Sequence, residues 1–321
     1  MEIVSNRAVA AVLTEEVAYR AVRQALIAST RGARATALMH PGFEQGEIFG
    51  VKCAASPEDA LMGLKIGAYW PRNNGGPHPP HSASIVLLDS ETGRISTFVC
   101  GDVLHGFRTA ASNAVATDAL ARHDSATLSL MGSGHQASFE ARAICRIRRI
   151  ERVLIAARNI DRAQLLATSL ASCARVVQLT DARTACVEAD ILVTVTASRA
   201  PLLDGSWIRP GTHISAMGAD QKGKQELPLD LLRRARLFAD SAAQSVDVGE
   251  FQRIQPDFLT GQCRITDIGY VLCDSIPGRQ SPDEITIYDS SGLALQDLHL
   301  AADIAERARV AGLTTRVPDL Q

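Results

Sequence analysis

Residues 128–142 read LSLMGSGHQASFEAR, and the role of the GSGHQA at their centre decides the fold. TLSLM reads as a strand, Gly132-Ser133-Gly134 as a turn, and HQASFEARAICRI as the helix that follows. Gly132 permits a sharp turn, and Gly134 lets the backbone come close to a pyrophosphate. Ala137 is the small residue that close helix–strand packing needs. The helix N-terminus then directs its free N–H groups at the phosphates. Gly132, Ser133, Gly134, His135 and Gln136 are therefore expected to contact a dinucleotide. A bare G-x-G-x-x-A is common by chance, and its strand–turn–helix setting is what gives it weight.

Outward from this turn, apolar runs alternate with helical segments: ERVLIAARN, RVVQLT, ADILVTVTA, GTHISAMGAD and ARLFADS. That spacing predicts a parallel sheet with helices on both faces. The region before it differs. TEEVAYRAVRQALIAS (14–29) reads as an amphipathic helix with Thr14 as N-cap and two glutamates in its first turn. Short strand-like runs follow: ATALMH, EIFGVKCA, LMGLKIGAYW, SASIVLLD and RISTFVCG, separated by turn clusters such as PRNNGGPHPP. RTAASNAVATDALA is helical in composition, and GLALQDLHLAADIAERARVAG closes the chain as one long helix. The expected class is α/β: a Rossmann-type doubly wound parallel sheet inserted in a second, α+β domain.

With 321 residues, 46% hydrophobic and 21% charged, the composition is that of a globular protein of two domains. A net charge of -2 offers no nucleic-acid-binding surface. No apolar run nears the roughly 18 residues of a membrane helix, and charges enter the N-terminal stretch too early for a signal peptide. Seven scattered cysteines without a C-x-x-C pair read as free thiols of a cytoplasmic protein. His78 and His81 in PHPPH lack a third ligand at metal spacing, so no metal is expected.

The second strand, ERVLIAA, ends at Arg158-Asn159, where an NAD-selective site places an acid. Arginine suits a 2′-phosphate, so NADP is favoured over NAD. Asp161 close by either caps the next helix or touches the ribose.

Several stretches together, GLKIGAYWPRN, FRTAASNAVATDALA, MGSGHQA, ADILVTVTASRAPLLDGSWIRPGTHISAMGADQKGKQEL and SPDEITIYDSSGLALQDL, resemble the ornithine cyclodeaminase/mu-crystallin family over nearly the whole chain. The resemblance implies a homodimer whose substrate-binding and dimerisation domain is 1–112 plus 293–321, with an NAD(P)-binding Rossmann domain at 113–292. It implies catalytic roles for Lys65, Arg108 and Asp220. Lys65, in an apolar run, would meet the substrate carboxylate, which Arg108 would grip through two parallel N–H bonds. Asp220, beyond the end of an apolar strand, would hold the substrate amine or iminium and shuttle its proton. Thr196, Ala197 and Ser198, with Ser291, Gly292 and Asp220, would complete the cofactor site. His81 would hydrogen-bond the substrate, whereas Lys222 and Lys224 are expected in a solvated loop.

One departure from the family stands out. Where many members carry an early arginine, this chain has Met39 and His40, and His40 is the expected substitute. Lys52 either faces solvent from its strand or adds a cation to the pocket, which would suit a dicarboxylic substrate such as iminosuccinate. The leading expectation is an NAD(P)-dependent oxidoreductase acting on the C–N bond of a small amino or imino acid. The alternatives are ornithine cyclodeaminase, which forms proline and ammonia with bound NAD, and a mu-crystallin-like ligand-binding protein without catalysis.

Overall fold

The computed structural model describes residues 1–318 and divides into two compact units, Met1–Arg108 with the segment from Leu293 onward, and Thr109–Gly292. The first unit begins with β1 (Glu2–Val4), α1 (Asn6–Val12), α2 (Glu15–Ala28), β2 (Arg34–Pro41), β3 (Ile48–Ser56), β4 (Leu61–Tyr69), β5 (His81–Leu88) and β6 (Ile95–Cys100). After α3 (Leu104–Leu120) come β7 (Thr127–Met131), α4 (His135–Ile147), β8 (Arg152–Ala156), α5 (Ile160–Ser169), β9 (Val176–Leu179), α6 (Ala182–Glu188), β10 (Ile191–Thr194) and β11 (His213–Ala216). The second unit ends with α7 (Leu229–Arg234), β12 (Arg236–Ala239), α8 (Ala242–Val248), α9 (Gln255–Leu259), β13 (Ile265–Asp267), α10 (Ile268–Leu272) and β14 (Thr286–Asp289). The chain then returns to the first unit in α11 (Ala294–Val310) and β15 (Thr315–Arg316).

The first unit is a seven-stranded sheet in the order β15-β1-β6-β5-β4-β3-β2. All its pairs are antiparallel except β1 with β6. α11 packs across β2, β3, β4, β5 and β6, and α2 packs on α11. α2 starts where expected, with Thr14 accepting from the Val17 N–H, and buries Val17, Ala21, Val22, Ala25 and Leu26. The short β1 and α1, the latter capped by Ser5, are too brief to leave a periodic signature.

In the second unit eight parallel strands run in the order β13-β12-β14-β11-β10-β7-β8-β9. The central β10, β11 and β14 are buried at every position, as parallel strands covered on both faces are. From β7 the chain steps outward to β8 and β9, then returns to β10 on β7's other side. That reversal is the topological switch point, where ligands of such sheets bind beyond the carboxyl ends of the strands.

Candidate active site

The first unit gathers a charged cluster beneath α11. Lys52 of β3 stands directly opposite Lys65 of β4, and Ile85 of β5 flanks Lys65 on the other side. Residues opposed in this way share a sheet face. α11 covers that face, and Lys65 Nζ donates to Asp297 Oδ1 at 2.8 Å. Arg108 of α3 brings its Nε within 3.4 Å of the same oxygen and donates from Nη1 to Gln296 Oε1 at 3.3 Å. His81, at the start of β5, lies 4.5 Å from the Tyr69 ring and 5.6 Å from the His105 ring, centroid to centroid.

Electrostatics within the cluster are steep because it is buried: the Lys65 side chain is 11% exposed. Burial alone would raise the Asp297 carboxyl, but Lys65, Arg108 and Lys52 outweigh it and hold it down at about 2. Burial lowers the Lys65 ammonium and Asp297 opposes this, while Arg108 and Lys52 push the same way as burial. His105 is driven down to about 2, first by burial and then by Arg108 and Lys65, so it is a neutral imidazole. Three basic side chains, Lys52, Lys65 and Arg108, thus act on the Asp297 carboxylate.

In the second unit the expected cofactor residues sit on loops after five adjacent strands, β14, β11, β10, β7 and β8. Gly132 has φ +125°, and a Cβ there would lie 2.8 Å from the Val195 carbonyl oxygen. Only glycine fits this turn. Gly134 is the N-cap of α4 and offers no side-chain acceptor, and nothing lies within 4 Å of where its Cβ would be. Helices α5, α6 and α8 are instead capped by Asn159, Asp181 and Ser241. The first turn of α4 thus begins beyond β7 without a side-chain cap, an arrangement that fits a pyrophosphate. Ala137 is fully buried, as close packing requires.

Other side chains in these loops are committed within the protein. Gln136 Nε2 donates to Glu140 Oε1 at 2.7 Å, and the exposed His135 packs edge-on against Phe139 at 5.1 Å. Ser198 Oγ donates to the Ala200 carbonyl, and Ala197 is exposed. Ser291 Oγ and the Gly292 N–H donate to Asp240, the latter at 2.7 Å, and Gly292 turns with φ +84°. Arg158 is exposed at the tip of β8, whereas Asn159 accepts from the Arg162 N–H at 2.8 Å. Asn159, not Asp161, therefore caps α5; Asp161 falls within its first turn.

Asp220 follows β11, its side chain 54% exposed, and Lys224 Nζ donates to it at 2.5 Å. The expectation of a solvated Lys224 is corrected: its side chain is only 17% exposed because the i,i+4 pair draws it in. Lys222 is exposed and pairs with Asp247. His40 does not join the Lys65 cluster. It pairs with Phe49 across β2 and β3, three register steps from the Ala37–Lys52 pair, so its exposed ring lies on the opposite side of the sheet, 5.3 Å from Phe49. No group of three or more metal-binding side chains occurs among the described residues, and none of their helices is long and apolar enough to cross a membrane.

Four polar residues that organise these sites went unassigned by sequence: Asp297, His105, Glu226 and Asp240. Asp297 looks like an ordinary helix acid, although Gln296-Asp297 interrupts an otherwise apolar helix start, which is the signal available. Glu226 ends the conspicuous GADQKGKQE stretch without any spacing that marks it as buried.

The family model for the ornithine cyclodeaminase/mu-crystallin family matches residues 8–312. The iminosuccinate reductase of Paracoccus denitrificans is 35% identical over 99% of both chains. Its crystal structure in complex with NAD+ superposes with a TM-score of 0.93 over 99% of both chains, at 33% identity. The Δ1-pyrroline-2-carboxylate reductase of Thermococcus litoralis, solved with NADH and L-proline, gives 0.90 at 26% identity over 99% of this chain and 100% of its own. An archaeal alanine dehydrogenase dimer with bound NAD gives 0.90 at 28% identity over 99% of each.

Proposed function

This chain belongs to the ornithine cyclodeaminase/mu-crystallin family, and we propose that within it the protein reduces a small dicarboxylic imino acid of the iminosuccinate kind. It is an α/β NAD-dependent oxidoreductase that moves hydride to or from the C–N bond of a small amino or imino acid. The observation that carries the narrower reading is the convergence of three basic side chains, Lys52, Lys65 and Arg108, on Asp297. Lys65 and Arg108 take the α-carboxylate, and Lys52 takes the second carboxylate. His81 and the neutral His105 supply hydrogen bonds. Asp220 balances the iminium and passes on the proton that the amine nitrogen gains, while the imine carbon gains the hydride. The first unit is the substrate-binding and dimerisation domain.

The second unit holds the dinucleotide through Gly132–Gln136 and the loops of Thr196–Ser198, Ser291 and Gly292. Bound NADH supplies the hydride. The solved relatives carry NAD, and Arg158, with no acid at the tip of β8, extends the site to NADP and its 2′-phosphate. Seven free cysteines suit a reducing cytoplasm.

The deciding experiment follows NADH and NADPH absorbance with oxaloacetate, pyruvate or glyoxylate plus ammonia or methylamine, and with cyclic imino acids. Oxaloacetate with ammonia, the source of iminosuccinate, should give the highest kcat/KM by at least tenfold. A preference for a monocarboxylic acceptor would overturn the dicarboxylate reading, and proline release from L-ornithine would replace it with cyclodeaminase chemistry.

A further inference from the structure

Glu226 is fully buried in the second unit, and its carboxylate accepts four hydrogen bonds. Oε1 receives the Thr196 N–H at 2.6 Å and the Thr196 hydroxyl at 2.8 Å. Oε2 receives the Thr194 hydroxyl at 2.7 Å and the Gly218 N–H at 3.0 Å. Thr194 and Thr196 belong to the end of β10 and the loop after it, and Gly218 to the loop after β11. One side chain thus ties together two neighbouring loops at the carboxyl ends of adjacent parallel strands. Those loops carry Thr196–Ser198 and Asp220.

The surroundings are shaped to this tie. A Cβ on Gly218 would lie 2.2 Å from the Thr196 carbonyl oxygen and 2.6 Å from Glu226 Cδ, so only glycine lets the loops close on the carboxylate. A Cβ on Gly132 would come 3.2 Å from Thr196 Cγ2, so the pyrophosphate turn rests on the same loop. Glu226 is itself held from behind. Its own N–H and that of Leu227 donate to the Glu250 carboxylate at 3.0 and 2.6 Å. The Glu250 N–H in turn donates to Asp289.

We propose that Glu226 is a positioning residue that holds the β10 and β11 loops in the shape that binds the nicotinamide half of the cofactor. The inference rests on the second unit being the dinucleotide site. Burial pushes the Glu226 carboxyl up, and the bonds from Thr194, Thr196 and Gly218 oppose this only while both loops stay in place. The donors differ in what they tolerate. The two threonine hydroxyls can rotate to accept, but the backbone N–H groups of Thr196 and Gly218 cannot. In Glu226→Gln one carboxylate oxygen becomes an NH2, so whichever way the amide turns, one of those N–H groups loses its acceptor and its loop is released.

The test is NADH titration by fluorescence, with a melting curve, on wild type and Glu226→Gln. The dissociation constant for NADH should rise at least tenfold. A lower melting temperature with unchanged NADH affinity would reduce Glu226 to a structural acid and overturn the proposal. Gly218→Ala forces the loops apart with the carboxylate intact, and serves if Glu226→Gln does not fold. It should weaken NADH by the same order, and unchanged affinity in it would also overturn the inference. A wild type that binds no dinucleotide would instead sink the assignment of the second unit.

Discussion

Asp297 sits at the meeting point of three cations, and its chemistry sets two expectations for single residues. Its carboxyl is held at about 2 against an ordinary 3.8 by Lys65, Arg108 and Lys52, despite burial. A carboxyl depressed on folding stabilises the protein fully above its unfolded value, and that contribution fades as pH falls through the folded one. Stability should therefore drop between about pH 4 and 2, followed by circular dichroism, and Asp297→Asn should lose this part of the dependence. At pH 7 the same variant leaves buried cations unmatched and should cost about 3–5 kcal/mol in denaturant unfolding. Lys52 offers the complementary test of substrate class. Lys52→Met keeps an unbranched chain but removes the charge, so KM for the dicarboxylic imino acid should rise at least tenfold while turnover of a monocarboxylic one stays within threefold. Equal losses on both would mean that Lys52 serves the cluster as a whole rather than a second carboxylate. Asp297 was illegible in advance because an acid on a helix is usually solvated; burial became evident only with the register of β4 beneath α11.

Among elements, strands and long helices were legible where hydrophobic periodicity is strong. β7 with α4, the run β8 to β11, and α2 with its Thr14 cap all declare themselves by alternation and capping. The stretch from α8 to β13 does not, since its helices and strand are three to seven residues long and pack by tertiary contact rather than pattern. Loops that carry chemistry were legible by position, after strands, but not by what holds them: Asp240 and Glu226 are distant in sequence from the residues they secure. The turn after β7 allows a sharp test at this scale. Gly132→Ala would place a Cβ 2.8 Å from the Val195 carbonyl oxygen at a φ of +125°, a conformation that costs about 1–3 kcal/mol for a side-chain-bearing residue. Loss of dinucleotide binding in calorimetry should accompany a lower melting temperature. At the tip of β8, Arg158→Ala should weaken NADPH at least tenfold and leave NADH within twofold. Parallel loss of both would show that Arg158 meets a group common to the two cofactors.

At the scale of the molecule, the return of the chain from β14 into α11 completes the first unit with a segment separated from its first part by the whole of residues 109–292. No periodicity announces such a return, and Asp297 reaches Lys65 only because of it. The same unit also offers a test of the expected homodimer. Its sheet carries α11 on the face of Lys52 and Lys65, whereas the opposite face presents Leu38 and Ile66, 72% and 44% exposed, with Phe49 exposed among them. β2, the edge strand, is exposed at every position. A long apolar edge and face of this kind invites pairing with another copy, because water gains nothing from it and an unpaired strand edge is adhesive. A C2 pairing would bury the patch on both copies at once. Light scattering on the purified protein should give twice the 34.3 kDa of one chain. Leu38→Glu with Ile66→Glu should shift it toward the monomer while leaving far-UV circular dichroism unchanged, since both residues lie on the face away from Asp297. A double variant that stays dimeric would move the interface off this face, and a monomeric wild type would remove the dimer itself.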